Sequence, residues 1–332
     1  MEKINDTQSN ILLDVRNLSV SFNVYGAISH VLDGISFKVK KGERVGLVGE
    51  SGCGKTTILK AILNVLPKNA IVNNGDILFE GQNVFKMSAG ELAAMRRMGA
   101  GMIFQDPSSA LNPVFSIENQ LITALQFANP KGTSKEKLHD IAIDALNNVM
   151  LPDPERIMKS YPFQLSGGMK QRVCIAMTIA AGRQLLLADE PGTSLDVTIQ
   201  SQILSLINKL VIDYDLSVIM VAHSLGVIRE STSYVNIMYA GTVVEGGETD
   251  NVFNNPRHPY TVALMACVPK LTGEGIFEGI PGRIPDYRMP PKGCRYAPRC
   301  SYAKEICHTQ KPPHVEISSG HWVSCYFANE VI

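Results

Sequence analysis

The chain has 332 residues and no net charge, with 31 basic side chains against 31 acidic ones. That balance argues against a general nucleic-acid-binding surface, which needs a field of one sign. Long hydrophobic runs are missing too. The longest apolar region, 173–188, is broken by Gly182, Arg183 and Gln184, and nothing approaches the ~20 apolar residues that span a bilayer. The opening stretch, MEKINDTQSN, is polar and offers no signal-peptide core. Internal repeats and low-complexity tracts are likewise absent. The chain is therefore expected to be soluble and cytoplasmic, with length for two or three cores or one elaborated core. Finally, no C-x2–4-C pair occurs among the seven cysteines. In a reducing compartment, clustered cysteines point to metal or redox centres before disulfides. The four at positions 294, 300, 307 and 325 thus need an explanation.

What is present alternates between strand and helix. Residues 11–22 and 34–39 read as strands, 40–43 as a turn, and 44–48 as a short buried strand. A Gly-rich turn leads into a helical pattern over 55–66, and 76–80 is another strand. Ser88 and Glu91 predict a capping box for a helix through Met98. Between 107 and about 162 strands vanish and amphipathic helices dominate, including 134–150. Strands return at 185–189 and 217–222, and 235–245 reads as a hairpin. Beyond about residue 255 prolines accumulate and the pattern becomes irregular.

The strongest motif is GESGCGKTT at 49–57, which fits G-x-x-x-x-G-K-S/T with a strand before it and a helix after. Gly49, Gly52 and Gly54 let backbone N–H groups of the loop, including those of Ser51, Cys53 and Thr57, curl around phosphates. The helix N-terminus adds partial positive charge. Lys55 would neutralise phosphate oxygens, and the Thr56 hydroxyl would ligate Mg²⁺. Cys53 is expected to contribute only its backbone. LLLADE at 185–190 is an apolar strand ending in two acids. Alone, that is more often a solvated strand end; behind a P-loop, Asp189 fits a magnesium-side carboxylate and Glu190 a base that polarises water. LSGGMKQR at 165–172 places Ser166, Gly167 and Gly168 before a helix, a second anion site. One P-loop does not need two such sites in its own chain, so the second is expected to serve a partner's nucleotide.

In these three motifs, their order and their spacing, the sequence resembles the ATP-binding cassette (ABC) ATPases. The resemblance implies further roles. Gln105, in FQDP, matches the glutamine that ligates magnesium and senses a membrane partner. The TSLD stretch, with Asp196, matches the loop facing the second subunit. His223, in VAHS, matches the histidine at the γ-phosphate. Tyr25 is the best match for the aromatic that stacks on adenine, with Phe22 second; either aromatic would otherwise be a core residue at a strand edge. LNPV at 111–114, DVTIQ at 196–200, HPYT at 258–261, IPG at 280–282 and the cysteine tail resemble the oligopeptide/dipeptide importer branch. Gly192 departs from the family, which usually has threonine there, and Ser224 stands where aspartate is commoner.

Cys294, Cys300, Cys307 and Cys325 are separated by five, six and seventeen residues. Structural zinc sites usually contain a close cysteine pair. All-cysteine ligation at wider spacing suits a 4Fe–4S cluster, and tails of this kind in the resembled branch are associated with one. Zn²⁺ and disulfides or free thiols are the other readings. Tyr296, Pro298 and Pro312 would fix the loops around the site, and Cys174 and Cys267 read as small core residues.

The expected fold is α/β: a P-loop NTPase of the ABC type with a RecA-like core, an antiparallel β subdomain, a helical subdomain and a small irregular metal-binding tail. The expected boundaries are 1–10 for an N-terminal tail, 11–255 for the ATPase with a helical insertion at about 107–165, and 256–332 for the extension. The resemblance implies ATP and Mg²⁺ as cofactors and a second, identical or related, ATPase subunit. It also implies two transmembrane permease subunits and, indirectly, an extracytoplasmic binding protein. The expected location is peripheral, on the cytoplasmic face of the membrane, with no nucleic acid. Short peptides are the expected cargo; sugars or nickel are the nearest alternatives. A soluble ABC ATPase acting elsewhere would normally carry a coiled coil, a zinc hook or a second cassette.

Overall fold

The computed structural model describes residues 10–129, 132–222, 224–267 and 279–330. Apart from Asn10, the expected N-terminal tail lies outside them. The chain divides into two compact units: Met1–Lys86 with Val221–Ile332, and Met87–Met220. In chain order the strands are β1 (Ile11–Val24), β2 (Ala27–Lys40), β3 (Arg44–Val48), β4 (Ala70–Phe79), β5 (Gln82–Asn83) and β6 (Ala100–Ile103). They continue with β7 (Leu185–Asp189), β8 (Ser217–Val221), β9 (Tyr234–Tyr239), β10 (Thr242–Glu248), β11 (His314–Ser318) and β12 (His321–Ser324). Among the described residues no helix is long and apolar enough to cross a membrane.

In the first unit, β2, β1, β4 and β5 form an antiparallel sheet in that order. β2 starts well before the expected residue 34, because its first half pairs Ser29 and His30 with Phe22 and Ser21 of β1. That half is mostly half-buried, with Ile28 and His30 exposed and Leu32 buried, so it has no clean apolar face to read. β3 runs parallel to β9, Val45 opposite Tyr234 and Val48 opposite Ile237. β9 and β10 form the expected hairpin. The helix Lys55–Ile62 is shorter than its apolar pattern. Asn64 adopts φ +51°, a left-handed residue that ends the helix, and Pro67 follows.

The region past residue 255 is more ordered than its prolines suggest. A helix spans Pro259–Ala266, and β12 joins β10 while pairing with β11. The carboxylate of Glu245 on β10 is the hub of this arrangement and is fully buried. It accepts the backbone N–H of Arg257 at 2.8 Å and of His258 at 2.9 Å, and lies 2.8 Å from Nε2 of His321 on β12. A buried carboxylate is tolerable only with its lone pairs filled in this way.

In the second unit β6 runs parallel to β7, Ala100 opposite Leu185 and Ile103 opposite Ala188, and β8 lies on the other side of β7. The Ser88–Glu91 capping box forms as read, at the start of Ala89–Ala94. That helix widens into a π turn over Met95–Gly99. The helices Ile117–Ala128, Lys135–Asn148 and Pro154–Lys159 are each capped by a side chain, from Ser116, Ser134 and Asp153. The helix Gly167–Ile179 follows.

Candidate functional site

In the first unit the loop 49–54 joins β3 to the helix Lys55–Ile62. Two of its glycines are forced by close approach. A Cβ on Gly49 would stand 2.1 Å from the Met238 carbonyl oxygen of β9, and one on Gly54 would stand 2.5 Å from Leu32 of β2. Gly52 differs: its φ is +79°, yet nothing lies within 4 Å of where a Cβ would be. Lys55 is buried. Its Nζ donates to the carbonyls of Gly49 at 2.7 Å and Glu50 at 3.2 Å, and reaches Cys53 Sγ at 3.7 Å. The Cys53 side chain therefore does more than the sequence reading allowed, packing beneath the lysine with its thiol pushed up by burial. Thr56 and Thr57 open the helix, and Ser51 is exposed at the loop's tip. Tyr25 is fully exposed at the turn between β1 and β2, which removes the core reading for it; Phe22 is half-buried.

Three side chains from the C-terminal region hold this loop. Tyr260 Oη accepts the Glu50 N–H at 3.0 Å. Tyr287 Oη donates to the Gly52 carbonyl at 2.8 Å. Arg299 Nη1 donates to both Glu50 carboxylate oxygens, at 3.1 and 3.0 Å. The sequence reading named none of the three in a nucleotide role. Tyr260 and Arg299 do sit in its HPYT and GCRYAPRC motifs; Tyr287 carried no signal.

In the second unit, Asp189 ends β7 and Glu190 follows with φ +49°. A non-glycine residue held in left-handed backbone is uncommon and is frequent at functional sites. Both acids are buried. Gln105 Nε2 donates to Glu190 Oε2 at 2.9 Å, and Ser194 Oγ donates to the Gln105 carbonyl at 3.3 Å. Gln105, Glu190 and the TSLD loop thus form one contact group. Ser166 caps its helix by accepting Met169 N–H at 3.3 Å. A Cβ on Gly167 would meet Leu195, and one on Gly168 would meet Ile199, each at 2.8 Å. Asp196 caps the helix Val197–Asp213 through Ile199 N–H at 3.0 Å. Gly192 has φ +102°, a conformation that suits glycine and strains the threonine usual in the family. His223 lies outside the described residues.

The four tail cysteines of the first unit line one small apolar cavity, together with His258 and Tyr296. All are free thiols. Burial pushes Cys294 up to about 11, with Cys325 and Cys300 adding to the effect; burial also raises Cys300 and Cys325. Among the described residues, however, no three His, Cys, Asp or Glu side chains stand close enough to hold a single metal ion. The thiols surround a space without converging on a point. Cys174 is buried as expected, with its thiol pushed up to about 12 by burial; Cys267 is only half-buried, after the helix Pro259–Ala266.

Residues 32–193 match the protein family described as "ABC transporter", and 244–307 match "Oligopeptide/dipeptide transporter, C-terminal region". The chain is 43% identical over 318 residues to the oligopeptide transport ATP-binding protein OppD of Bacillus subtilis, covering 95% of this chain and 88% of that protein. It is 40% identical over 321 residues to the dipeptide transport ATP-binding protein DppD of the same organism, covering 96% and 95%. Among solved structures it resembles the dimeric post-hydrolysis state of the ATP-binding cassette MJ0796 bound to ADP and Pi. There the TM-score is 0.64 at 26% identity, over 71% of this chain and 98% of that one.

Proposed function

The chain belongs to the ABC transporter ATP-binding proteins, in their oligopeptide/dipeptide branch, and from that premise we propose the following residue roles and assembly. The protein is an ATPase, and it powers peptide import. The observation that carries the residue assignment is Lys55. Its buried ammonium is held by loop carbonyls and a thiol, so an anion at the loop mouth would neutralise it where water does not. The loop N–H groups and helix N-terminus complete a phosphate cradle. Tyr25, exposed at its turn, stacks on the adenine.

By their motifs Thr56, Asp189 and Gln105 are the residues that would offer Mg²⁺ the oxygen donors it takes, and what the ion would add is charge neutralisation on the phosphates. Glu190 orients and deprotonates the attacking water, steadied by the Gln105 amide. His223 is assigned to the γ-phosphate by its motif alone. Ser166, Gly167 and Gly168, with Asp196 beside them, face the nucleotide of a second ATPase subunit, identical or related. Two separate permease subunits receive the stroke, fed by an extracytoplasmic binding protein, with this chain on the cytoplasmic face.

For the tail we propose a 4Fe–4S cluster. What supports it is the donor chemistry: four cysteine side chains around one apolar cavity, the usual ligand set for iron–sulfur clusters. Zinc fits less well, since it draws four sulfurs to about 2.3 Å from one point and among the described residues the thiols do not converge in that way. Cys294, Cys300, Cys307 and Cys325 would hold the cluster, and ligation there would cross-link loops that have little core of their own.

The test is uptake of a labelled tripeptide by a strain lacking this gene. Complementation by the natural chain and failure with Lys55→Ala are expected. Restored uptake with Lys55→Ala, or unchanged tripeptide uptake in the deletion strain when related importers are also removed, overturns the assignment.

A further inference from the structure

The phosphate loop is held from outside as well as by its own glycines. Gly49 and Gly54 are fixed by walls that a Cβ would strike, at 2.1 and 2.5 Å. Gly52 has no such wall, and a glycine free of packing keeps the widest choice of φ and ψ. Its peptide is held instead by the Tyr287 hydroxyl on its carbonyl, at 2.8 Å. In a trans peptide the carbonyl of one residue and the N–H of the next point oppositely. Fixing the Gly52 carbonyl therefore also fixes the Cys53 N–H, which closes the turn on the Glu50 carbonyl at 3.2 Å. The same logic applies one turn earlier. Tyr260, by accepting the Glu50 N–H, turns the Gly49 carbonyl toward Lys55 Nζ.

The supports are themselves held by further contacts. The Tyr287 carbonyl accepts the His30 N–H of β2 at 2.7 Å. Arg299 is almost fully buried at its side chain. It spends its fork on Glu50, on Tyr239 Oη at 3.2 Å, and on the Ile280 and Pro281 carbonyls at 2.8 Å each. Tyr239, Tyr260 and Tyr296 pack as a cluster with ring centroids 4.7 to 5.4 Å apart. Tyr296 lies between Cys294 and Cys300 in the sequence and lines the cysteine cavity.

Resting on the nucleotide reading above, we propose that Tyr287 and Arg299 are positioning residues for the phosphate loop, so that MgATP affinity is set in part from the C-terminal extension. The extension pre-forms the cradle; without it the Gly52 peptide must be ordered when nucleotide binds, at the expense of affinity. Arg299 cannot be exchanged for lysine in this role, because a point-charge ammonium cannot make the planar, several-directional contact.

The experiment uses the full chain with a fluorescent ATP analogue and Mg²⁺ for equilibrium binding. Steady-state hydrolysis and nucleotide-free melting curves accompany it. Tyr287→Phe keeps the ring and removes one hydrogen bond, so Kd and KM for MgATP should rise about two- to tenfold with kcat at saturation retained. Arg299→Lys should do the same, and combining it with Glu50→Gln should add less than the sum of the single effects. If both single variants bind MgATP like the natural chain, the proposal fails. It also fails if they melt earlier while Kd stays put, since the contacts then merely anchor the extension. Absence of MgATP binding by the natural chain is a different result: it sinks the nucleotide reading itself.

Discussion

Replacing Glu190 by glutamine tests the chemistry with little disturbance of structure. The side chain is buried, on left-handed backbone, and accepts a hydrogen bond from Gln105 Nε2 at 2.9 Å. Glutamine has the same length and still offers an oxygen to that amide, so the loop and its partner survive. What is lost is the negative charge and the ability to take a proton from water. General-base catalysis contributes about 10²–10⁴ in rate, and each factor of ten is about 1.4 kcal/mol of barrier. Glu190→Gln should thus raise the barrier by about 3–5 kcal/mol while Kd for MgATP stays within a few-fold. The assay is phosphate release by the purified chain under saturating MgATP, followed by size-exclusion chromatography. A slow variant that elutes as an ATP-bound dimer is expected. Turnover within threefold of the natural chain, measured with no related subunit present, would falsify the role given to Glu190.

Gly167→Asp should abolish peptide uptake while the isolated chain still binds MgATP, because under the proposed role in trans the carboxylate would face a partner's phosphates and its Cβ also crowds Leu195 at 2.8 Å; loss of binding by the isolated variant would count against that role. Gly49→Ala should lower stability by about 3 kcal/mol or more and abolish nucleotide binding, since its Cβ meets the Met238 carbonyl at 2.1 Å. Gly52→Ala meets nothing and should cost only the roughly 1–2 kcal/mol of left-handed backbone; denaturant melts that rank the two equally would refute the wall at Gly49. Anaerobically purified protein should be brown and carry about four iron and four sulfide per chain. Cys300→Ser should bleach it without removing ATP hydrolysis, whereas one zinc per colourless chain would replace the cluster and leave the structural role.

Much of the cassette was legible because its chemistry is local. A loop that cradles phosphate needs glycines, a lysine and a hydroxyl at fixed offsets, and the strands around it are short and buried, so 44–48 and 185–189 read with the bounds the structure gives them. The capping box at Ser88 read for the same reason. What escaped depends on partners far away in sequence. The first half of β2 is strand because β1 lies beside it, with no apolar face to announce it. The helix Pro259–Ala266 and the β11–β12 hairpin form around Glu245, a carboxylate whose donors no spacing rule reveals. Cys53 reads as a backbone contributor within a Gly-rich turn, while its sulfur packs under Lys55. Tyr287 could not be found at all from the sequence, since a lone tyrosine in a proline-rich stretch says nothing of the carbonyl it reaches.

The Glu245 hub bears on how such chains can be recombined. Its three donors come from Arg257, His258 and His321, all beyond the point where a cassette would be cut from its extension. Grafting a foreign tail onto this cassette, or this tail onto a foreign cassette, would strand a buried carboxylate or a buried imidazole with nothing opposite it. Orphaning one side of such a pair costs about 3–5 kcal/mol, a large share of a domain's margin. The tail of this chain should therefore be exchangeable only together with the strand that carries the acid, and a chimera joined downstream of residue 248 inherits that liability unless the incoming tail brings a histidine in the place of His321, since the other two donors are backbone N–H groups.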